Sequence, residues 1–396
     1  RQRQMCIRDS LITCDKCSLT LNDNVLLNKG NDYTETEDHV ITEGVSLAWN
    51  FDYGVDDKNL YITIGSSTAP VTPDTPTPAP SEPTQLRDQT KSIVETPLAA
   101  SVMIRQGSDL LAWSGMDAMT SANTTATGST QYFSPFATVG GMNVRHKTSS
   151  HVKVKGGEAV FGVALDGENR LGRLTISPLL EYGKGDYDSW IDHDIHGDGS
   201  SEYLGLGLAL RQEFGDGWYT DASLRYGRVK SDYASDDLDG AEHLSYDLKT
   251  HYVALHAGLA KTLTINENND VLLYAKYFYD RQRAADAKLS SGESYHFSKV
   301  DGHRTQVGSR YSYLFSDSLQ AHVGMLWQKE FSTKAYATYR GLNTPLASMK
   351  GSSGNVSVGF SKHATEHSPW FVELEGATWF GAQRGGSAQL VGGVKF

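Results

Sequence analysis

From residue 131 to its end, the chain alternates between apolar and polar residues. The segment 204–210 is Leu-Gly-Leu-Gly-Leu-Ala-Leu, and the segment 218–226 places Trp, Ala, Leu and Tyr on one face and Tyr, Asp, Ser and Arg on the other. A period of two residues is the side-chain period of a β-strand. Half-solvated sheets of soluble proteins alternate in the same way, so the pattern alone does not predict a membrane protein.

The connections between the predicted strands alternate in length. About twelve strands are present, each of roughly the 9 to 11 residues that cross a bilayer when tilted. Short connections are predicted at 166–170, 215–217, 265–270, 316–318 and 364–369, and long polar ones at 186–201, 231–249, 282–302 and 332–353. Short turns at one end, long loops at the other and an even strand number are typical of outer-membrane β-barrels. We therefore predict an all-β fold, a 12-stranded antiparallel transmembrane β-barrel over residues 131–396.

The polar face of these strands is predicted to line the barrel interior, because lumens of such barrels are polar. The predicted lumen residues are Asp221, Arg225, Lys276, Arg304, Arg310, Glu373 and Glu375. The charged residues in this set are of both signs.

Three zones precede the barrel. Residues 18–66 contain short alternating segments, too few to enclose a core alone. Residues 67–96 hold Pro70, Pro73, Pro76, Pro78, Pro80 and Pro83, six of the 11 prolines, and are predicted to be an extended linker. Residues 97–130 are predicted to be a helix, over about 97–118, and a connector. Arg105, Gln106 and Asp109 make this helix too polar to face lipid.

The net charge and the first 17 residues exclude several classes of function. The formal net charge of −11 argues against a nucleic-acid partner. Residues 1–17 hold all three cysteines, and the pair Cys14 and Cys17 lacks the second ligand pair of a zinc site and the βαβ context of a redox site. This segment also lacks the apolar stretch of a signal peptide, and we predict that it is non-native. The chain is therefore expected to be the C-terminal part of a longer precursor.

A cluster of acids and histidines is the main candidate for chemistry. Asp192, His193, Asp194, His196 and Asp198 lie in one predicted outer loop. A metal or an Asp/His catalytic cluster would use such residues, but no register places Gly and Glu as an EF-hand requires. We interpret the cluster as a solvated acidic loop. No hydrolase, metalloprotease, phosphate-loop or dinucleotide motif is present, so no catalytic residue, cofactor or metal is predicted.

The order of linker, polar helix and twelve strands resembles the C-terminal translocator domain of a classical autotransporter, the proteins of type V secretion. Residues 132–141, Tyr-Phe-Ser-Pro-Phe-Ala-Thr-Val-Gly-Gly, resemble the first strand of the family's first hairpin, and Arg105-Gln-Gly-Ser-Asp109 resembles the preceding helix. Residues 49–61 resemble the last turns of a β-helical passenger. The resemblance covers roughly residues 40–396. Some subfamilies self-cleave between two adjacent Asn of the helix, which this helix lacks.

The resemblance implies a mechanism and a location. The helix would thread the lumen and join a passenger, of which residues 18–66 are the C-terminal end, to the first strand. The barrel would lie in the outer membrane of a Gram-negative bacterium and expose the passenger at the cell surface, without enzymatic activity. Its partners would be outer-membrane lipid, the β-barrel assembly machinery and its own passenger. Leu390, Val394 and Phe396 resemble the C-terminal signal that this machinery binds.

Alternatives stay open from the residues alone. Arg105 and Asp109 pair with luminal charges, or the luminal charges pair with one another and with water. A barrel enzyme of the omptin type would explain the Asp/His loop but not the linker and helix. A diffusion porin would need no passenger remnant.

Overall fold

Our computed structural model describes residues 12–13, 18–21, 24–28, 40–55, 59–64, 85–123, 133–148, 150–191, 195–365 and 368–394. Its N-terminal part contains short strands. They are β1 (Ile12–Thr13), β2 (Ser18–Leu21), β3 (Asn24–Asn28), β4 (Val40–Glu43), β5 (Leu47–Val55), β6 (Asn59–Ile64) and β7 (Gln85–Leu86). β5 pairs antiparallel with β4, β6 and β7. The last of these pairings brings Leu47 opposite Leu86, on the two sides of the proline-rich segment.

A helix follows and fills the barrel. A 3₁₀ turn at Asp88–Val94 leads into α1 (Glu95–Leu110), a π-helical turn at Leu111–Gly115 and α2 (Met116–Asn123). The helix therefore begins two residues before the predicted start. The hydroxyl of Thr96, in the first turn of the helix, lies 2.7 Å from the hydroxyls of Tyr187 and Tyr246 on the barrel wall. Contacts with distant strands thus set this end of the helix.

The remaining strands close into a barrel. They are β8 (Phe133–Lys147), β9 (His151–Asn169), β10 (Gly172–Trp190), β11 (His196–Glu213), β12 (Trp218–Ser235), β13 (Leu244–Asn266), β14 (Asn269–Gln282), β15 (Ala285–Lys288), β16 (Ser294–Phe297), β17 (Val300–Ser316), β18 (Leu319–Ala335), β19 (Ala337–Tyr339), β20 (Leu342–Asn343), β21 (Ala347–Lys362), β22 (Trp370–Gly381) and β23 (Gln383–Val394). Twelve of them form the wall, from β8 to β14 and then β17, β18, β21, β22 and β23. β23 pairs antiparallel with β8 and closes the ring. The predicted 12-stranded barrel with an N-terminal helix inside is confirmed.

The outer connections contain more strand than the sequence pattern predicted. β10 and β11 stay paired as far as Trp190 opposite His196, within the predicted loop 186–201. β15, β16, β19 and β20 form a separate sheet within two other long connections. The extensions are held by packing on the helix, since Tyr187 and Tyr233 are buried and their hydroxyls bond Thr96 and Ser92. Polar outer segments therefore fold as strands where their tyrosines reach the helix.

The outward face of the wall is apolar. Leu206, Met325, Phe360 and Trp370 each leave about half or more of their surface exposed. In water such an array would be a large apolar patch, whereas in a bilayer it faces acyl chains. No helix in the described ranges has the length and apolarity to cross a membrane.

Candidate functional site: the helix-filled lumen

The outermost charged contact of the helix joins it to two wall strands. Arg105 Nε donates to Asp280 Oδ1 at 2.9 Å, and Nη1 donates to Glu330 Oε2 at 3.0 Å. Nη2 donates to Thr333 Oγ1 at 2.5 Å. All of these groups are buried. The guanidinium thus has acceptors for each of its nitrogens, as a buried Arg requires.

One turn further along, the helix presents an acid to the same wall. Arg304 Nη1 lies 2.8 Å from Asp109 Oδ1, and Gln306 Nε2 donates to the same oxygen at 3.1 Å. Arg304 Nη2 also donates to the carbonyl of Arg105 at 3.1 Å. The wall strand β17 therefore holds both a side chain and the backbone of α1.

A wall strand about a quarter of the ring away from β17, β12, holds the helix through a third charged group. Arg225 forms a buried ion pair with Glu181 and donates to the hydroxyl of Ser108. Its Nη2 lies 3.3 Å from the carbonyl oxygen of Ile104. Tyr252 donates to the second oxygen of Glu181 at 2.6 Å. Because Arg225 spans wall and helix, the side of α1 facing β12 is fixed by polar contacts as well.

A lysine of the wall donates a hydrogen bond to the π-helical turn. Lys276 Nζ donates to the carbonyl of Ala112, lies 3.0 Å from Asp221 Oδ2 and sits 4.1 Å from the centre of the Trp113 ring. A π turn leaves carbonyls without their usual helical donors, and Lys276 serves one of them. His256 Nε2 lies 2.8 Å from the other oxygen of Asp221.

The last charged layer lies toward the short turns. Asp117 of α2 lies 3.2 Å from Arg211 Nη1 and 2.7 Å from Arg310 Nη2. Arg211 Nη2 in turn lies 3.5 Å from Asp221 Oδ2. Both ends of the helix are therefore tied to the wall by charge.

A cavity remains between the helix and the wall at β8 and β17–β23. Its volume is about 60 Å³, and Gln106, Glu158, Glu373 and Glu375 are among the residues that line it. Glu375 Oε2 lies 2.8 Å from His322 Nε2, and Gln389 donates to Glu375 Oε1 at 2.7 Å. The helix thus leaves only a small void at this part of the wall, lined by three glutamates and by Arg310.

The predicted and unpredicted residues combine in one network. The structure brings Arg105 and Asp109 against wall charges, of which Arg304 is among the predicted lumen residues and Asp280 and Glu330 are not. Asp117 and Glu181 are likewise absent from the predicted set. The alternation along the strands could have identified Asp280 and Glu181. Asp280 is an even number of residues from the inward-facing Lys276 and therefore lies on the same face of β14, and Glu181 lies on the same face of β10 as Gly183 and Tyr187. Strand parity identifies inward positions but not which of them meet.

The outer mouth of the barrel holds the chain that leads into the helix. Arg87 Nη2 lies 2.9 Å from Asp239 Oδ2, in the connection between β12 and β13. Ser46, in the turn before β5, lies 2.6 Å from the hydroxyl of the buried Tyr295 in β16. Gln89 Nε2 donates to the carbonyl of Val45 at 2.7 Å. The segments on both sides of the proline-rich linker are thus packed on the outer connections.

The predicted C-terminal signal and the Asp/His cluster lie only partly within the described residues. Leu390 faces outward from β23, opposite Val139 of β8, and Val394 ends the strand. Phe396 lies outside the described residues, as do Cys6, Cys14, Cys17 and the part of the Asp/His cluster at 192–194. Of the rest of that cluster, His196 Nε2 lies 3.5 Å from Asp188 Oδ1. Within the described ranges, no group of three or more His, Cys, Asp or Glu is arranged to hold a metal ion.

Solved structures share this architecture. The chain is similar to the translocator domain of the autotransporter NalP from Neisseria meningitidis, with 18% identity, 78% of this chain and 100% of that chain covered, and a TM-score of 0.59. It is also similar to the β domain of the Bordetella autotransporter BrkA, with 15% identity, 67% and 99% covered, and a TM-score of 0.52. The transport unit of the autotransporter AIDA-I from Escherichia coli is 13% identical, with 72% of this chain and 97% of that chain covered and a TM-score of 0.53. At these low identities, the structural similarity shows the fold alone.

The family follows from the sequence itself. The model of the autotransporter beta-domain family matches residues 135–375, which is more than half of the chain. No curated protein matches the sequence. Neither the family match nor the similar structures support the omptin alternative. The chain belongs to the autotransporter β-domain family, and it is an outer-membrane translocator for the export of its own passenger.

Proposed function

We propose that the luminal helix is the permanent tether of the exported passenger and the plug of the pore. The observation that carries this proposal is the set of buried ion pairs along the helix, at Arg105, Asp109 and Asp117. Removing one partner of a buried pair leaves an uncompensated charge, which is strongly unfavourable. The helix is therefore expected to stay in the lumen after export.

The plug is tested by deletion of residues 85–123 and single-channel recording in planar bilayers. We expect the deletion variant to conduct more than the full chain, because the volume of the helix becomes water. A synthetic peptide of residues 85–123 is expected to lower the conductance again, while a peptide with Arg105→Glu and Asp109→Lys is not. Equal conductance of the full chain and the folded deletion variant would contradict the proposal.

We propose that the passenger emerges on the side of the long connections. The support is the position of Arg87, directly after β7, and of Ser46, in the turn before β5, which contact Asp239 and Tyr295 at the outer mouth. In intact cells, protease should therefore remove residues 18–66 and leave the barrel. Protection of these residues in intact cells and cleavage only after outer-membrane permeabilisation would place them on the periplasmic side.

We also propose that the β-barrel assembly machinery inserts the chain through its last strand. Leu390, Val394 and Phe396 would present an apolar, aromatic face to it. Deletion of Phe396 should lower the amount of heat-modifiable barrel in the outer membrane, whereas Lys395→Gln, which keeps the final aromatic, should not. The proposal assigns the barrel no enzymatic activity, cofactor or metal.

A further inference from the structure

Three cations stand side by side on the outward face of the barrel where the ring closes. Arg384 of β23 is directly opposite Arg145 of β8, and Arg145 is directly opposite Lys153 of β9. All three side chains are exposed. We name these residues the outer cation row. Like charges directly opposite each other destabilise a sheet, so an anion bound across these three residues would relieve their repulsion.

The row lacks that anion within the described residues. None of its three members forms an ion pair with a described acid, and the closest acid by register is Asp188, opposite Lys153 on β10. On the far side of the barrel, two cations share one acid. Arg281 Nε lies 3.5 Å from Asp301 Oδ1, and Lys299 Nζ lies 3.2 Å from Asp301 Oδ2. Elsewhere on the outward face, Lys230 of β12 is directly opposite Lys249 of β13, and Glu202 of β11 is opposite Lys230. The closing strands differ in that three cations follow one another across neighbouring strands.

Below the row, the outward face passes through polar and small residues to apolar ones. Toward the membrane, the outward positions are taken by Gly386 and Ala388 on β23, by Asn143 and Gly141 on β8, and by Lys155 and Gly157 on β9. A Cβ on Gly141 would have one neighbour within 4 Å, the carbonyl of Gly156 at 3.7 Å, so the wall is open here. Below it lie Val139 and Leu390, both more than 40% exposed.

We propose that the outer cation row binds the phosphorylated headgroup of an outer-leaflet lipid, with the lipid body against the polar and small residues below the row and its acyl chains against the apolar band. Arg forks fit phosphate oxygens bidentately, and Lys adds a point charge. A free anion would use only the row, whereas an amphiphile uses all three zones. This inference rests on the proposed orientation, with the long connections outside, and adds the site and the lipid class.

The test uses the full chain folded in neutral detergent and bisphosphorylated lipid A as the probe, followed by native mass spectrometry. The variant Arg145→Gln/Lys153→Gln/Arg384→Gln is expected to bind the probe roughly tenfold or more weakly. The control Arg281→Gln/Lys299→Gln/Lys329→Gln removes the same charge from the far wall and should bind within about twofold of the native chain. Equal weakening in both variants would overturn the proposal, as would tight binding of inorganic phosphate or of dephosphorylated lipid A by the native chain.

Thermal unfolding gives a second measurement, in which the triple variant is expected to be more stable than the native chain without lipid but not to be stabilised by lipid. Without lipid, the row variant should unfold at a higher temperature than the native chain, since the mutual repulsion is gone. With the lipid, only the native chain and the control should be stabilised. If the triple variant does not fold, Arg145→Gln alone removes the central charge and serves instead. Exposure of the passenger in cells is measured separately. Intact export without lipid binding would contradict the lipid site and leave the proposed function unaffected.

Discussion

Asp109 of the luminal helix and Arg304 of β17 form an ion pair at 2.8 Å inside the barrel, although 195 positions separate them in sequence. Arg304 is almost fully buried, and its guanidinium lies 4.2 Å from the centre of the Phe278 ring. The pair fixes both the depth and the rotation of the helix, because a shift by one residue would turn Asp109 away from β17.

Substitution of Asp109 by Asn is expected to lower the free energy of unfolding by about 3 kcal/mol, because Arg304 stays buried without its carboxylate. Urea unfolding followed by tryptophan fluorescence measures the change. Asp216→Asn is the matched control, since Asp216 lies in an exposed turn with φ 59°, which Asn adopts readily. An equal effect of the two substitutions would show that the pair does not hold the helix.

Gly107 gives a prediction whose sign depends on where the helix lies. A Cβ at this position would clash with the hydroxyl of Tyr203 and lie 3.3 Å from Arg225 Nη1. In an exposed helix, Gly→Ala adds about 1 kcal/mol of stability, whereas overpacking a buried site costs about 1–3 kcal/mol. Gly107→Ala should therefore destabilise the barrel. The measurement is the temperature at which the folded barrel unfolds and changes its electrophoretic mobility. Gly376→Ala, where a Cβ meets nothing within 4 Å, is the control; a stabilised Gly107→Ala variant would place the helix outside.

Glu95 at the outer end of the helix predicts a pH dependence. Burial raises the pKa of Glu95 to about 7, against weaker opposing effects of Thr148, Lys91 and Ser150. Its protonated form is favoured in the folded chain, so its contribution is fully present below the unfolded pKa of 4.5 and is lost as the pH rises through 7. The loss amounts to about 3 kcal/mol at most.

This dependence is measured as the urea midpoint at pH 5 and pH 8. The native chain should lose more stability between the two values than Glu95→Gln, which cannot ionise. Lys91→Gln serves as the control, since it keeps the carboxyl and removes a charge that favours its ionised form. If native chain and Glu95→Gln respond alike, Glu95 does not titrate in this range.

Topology is tested by single cysteines in a background with the three native cysteines changed to Ser. Ser291→Cys, between β15 and β16, should react with a membrane-impermeant maleimide on intact cells. Asp317→Cys, in the short turn between β17 and β18, should react only after permeabilisation. Both positions are exposed, so a difference reports the side of the membrane. The reverse labelling pattern would invert the barrel.

The residue pattern alone was sufficient for the barrel wall. Alternation along 204–210 and 218–226 is a local property of each strand, because neighbouring side chains of a strand point to opposite faces. Strand number and the polar or apolar character of each face follow from it without knowledge of any partner. The same reasoning predicted a helix around Arg105 and Asp109 that is too polar for lipid.

The tertiary structure alone decided which charges meet. The acids that accept from Arg105 lie 175 and 225 positions away, and no pattern along the chain relates Asp280 and Glu330 to it. The closing contact of Arg384 with Arg145 likewise depends on the register of β23 against β8. Alternation is set within a strand, whereas pairing and register are set by closure of the ring around the helix. Ion pairs across the lumen therefore exist only in the folded barrel.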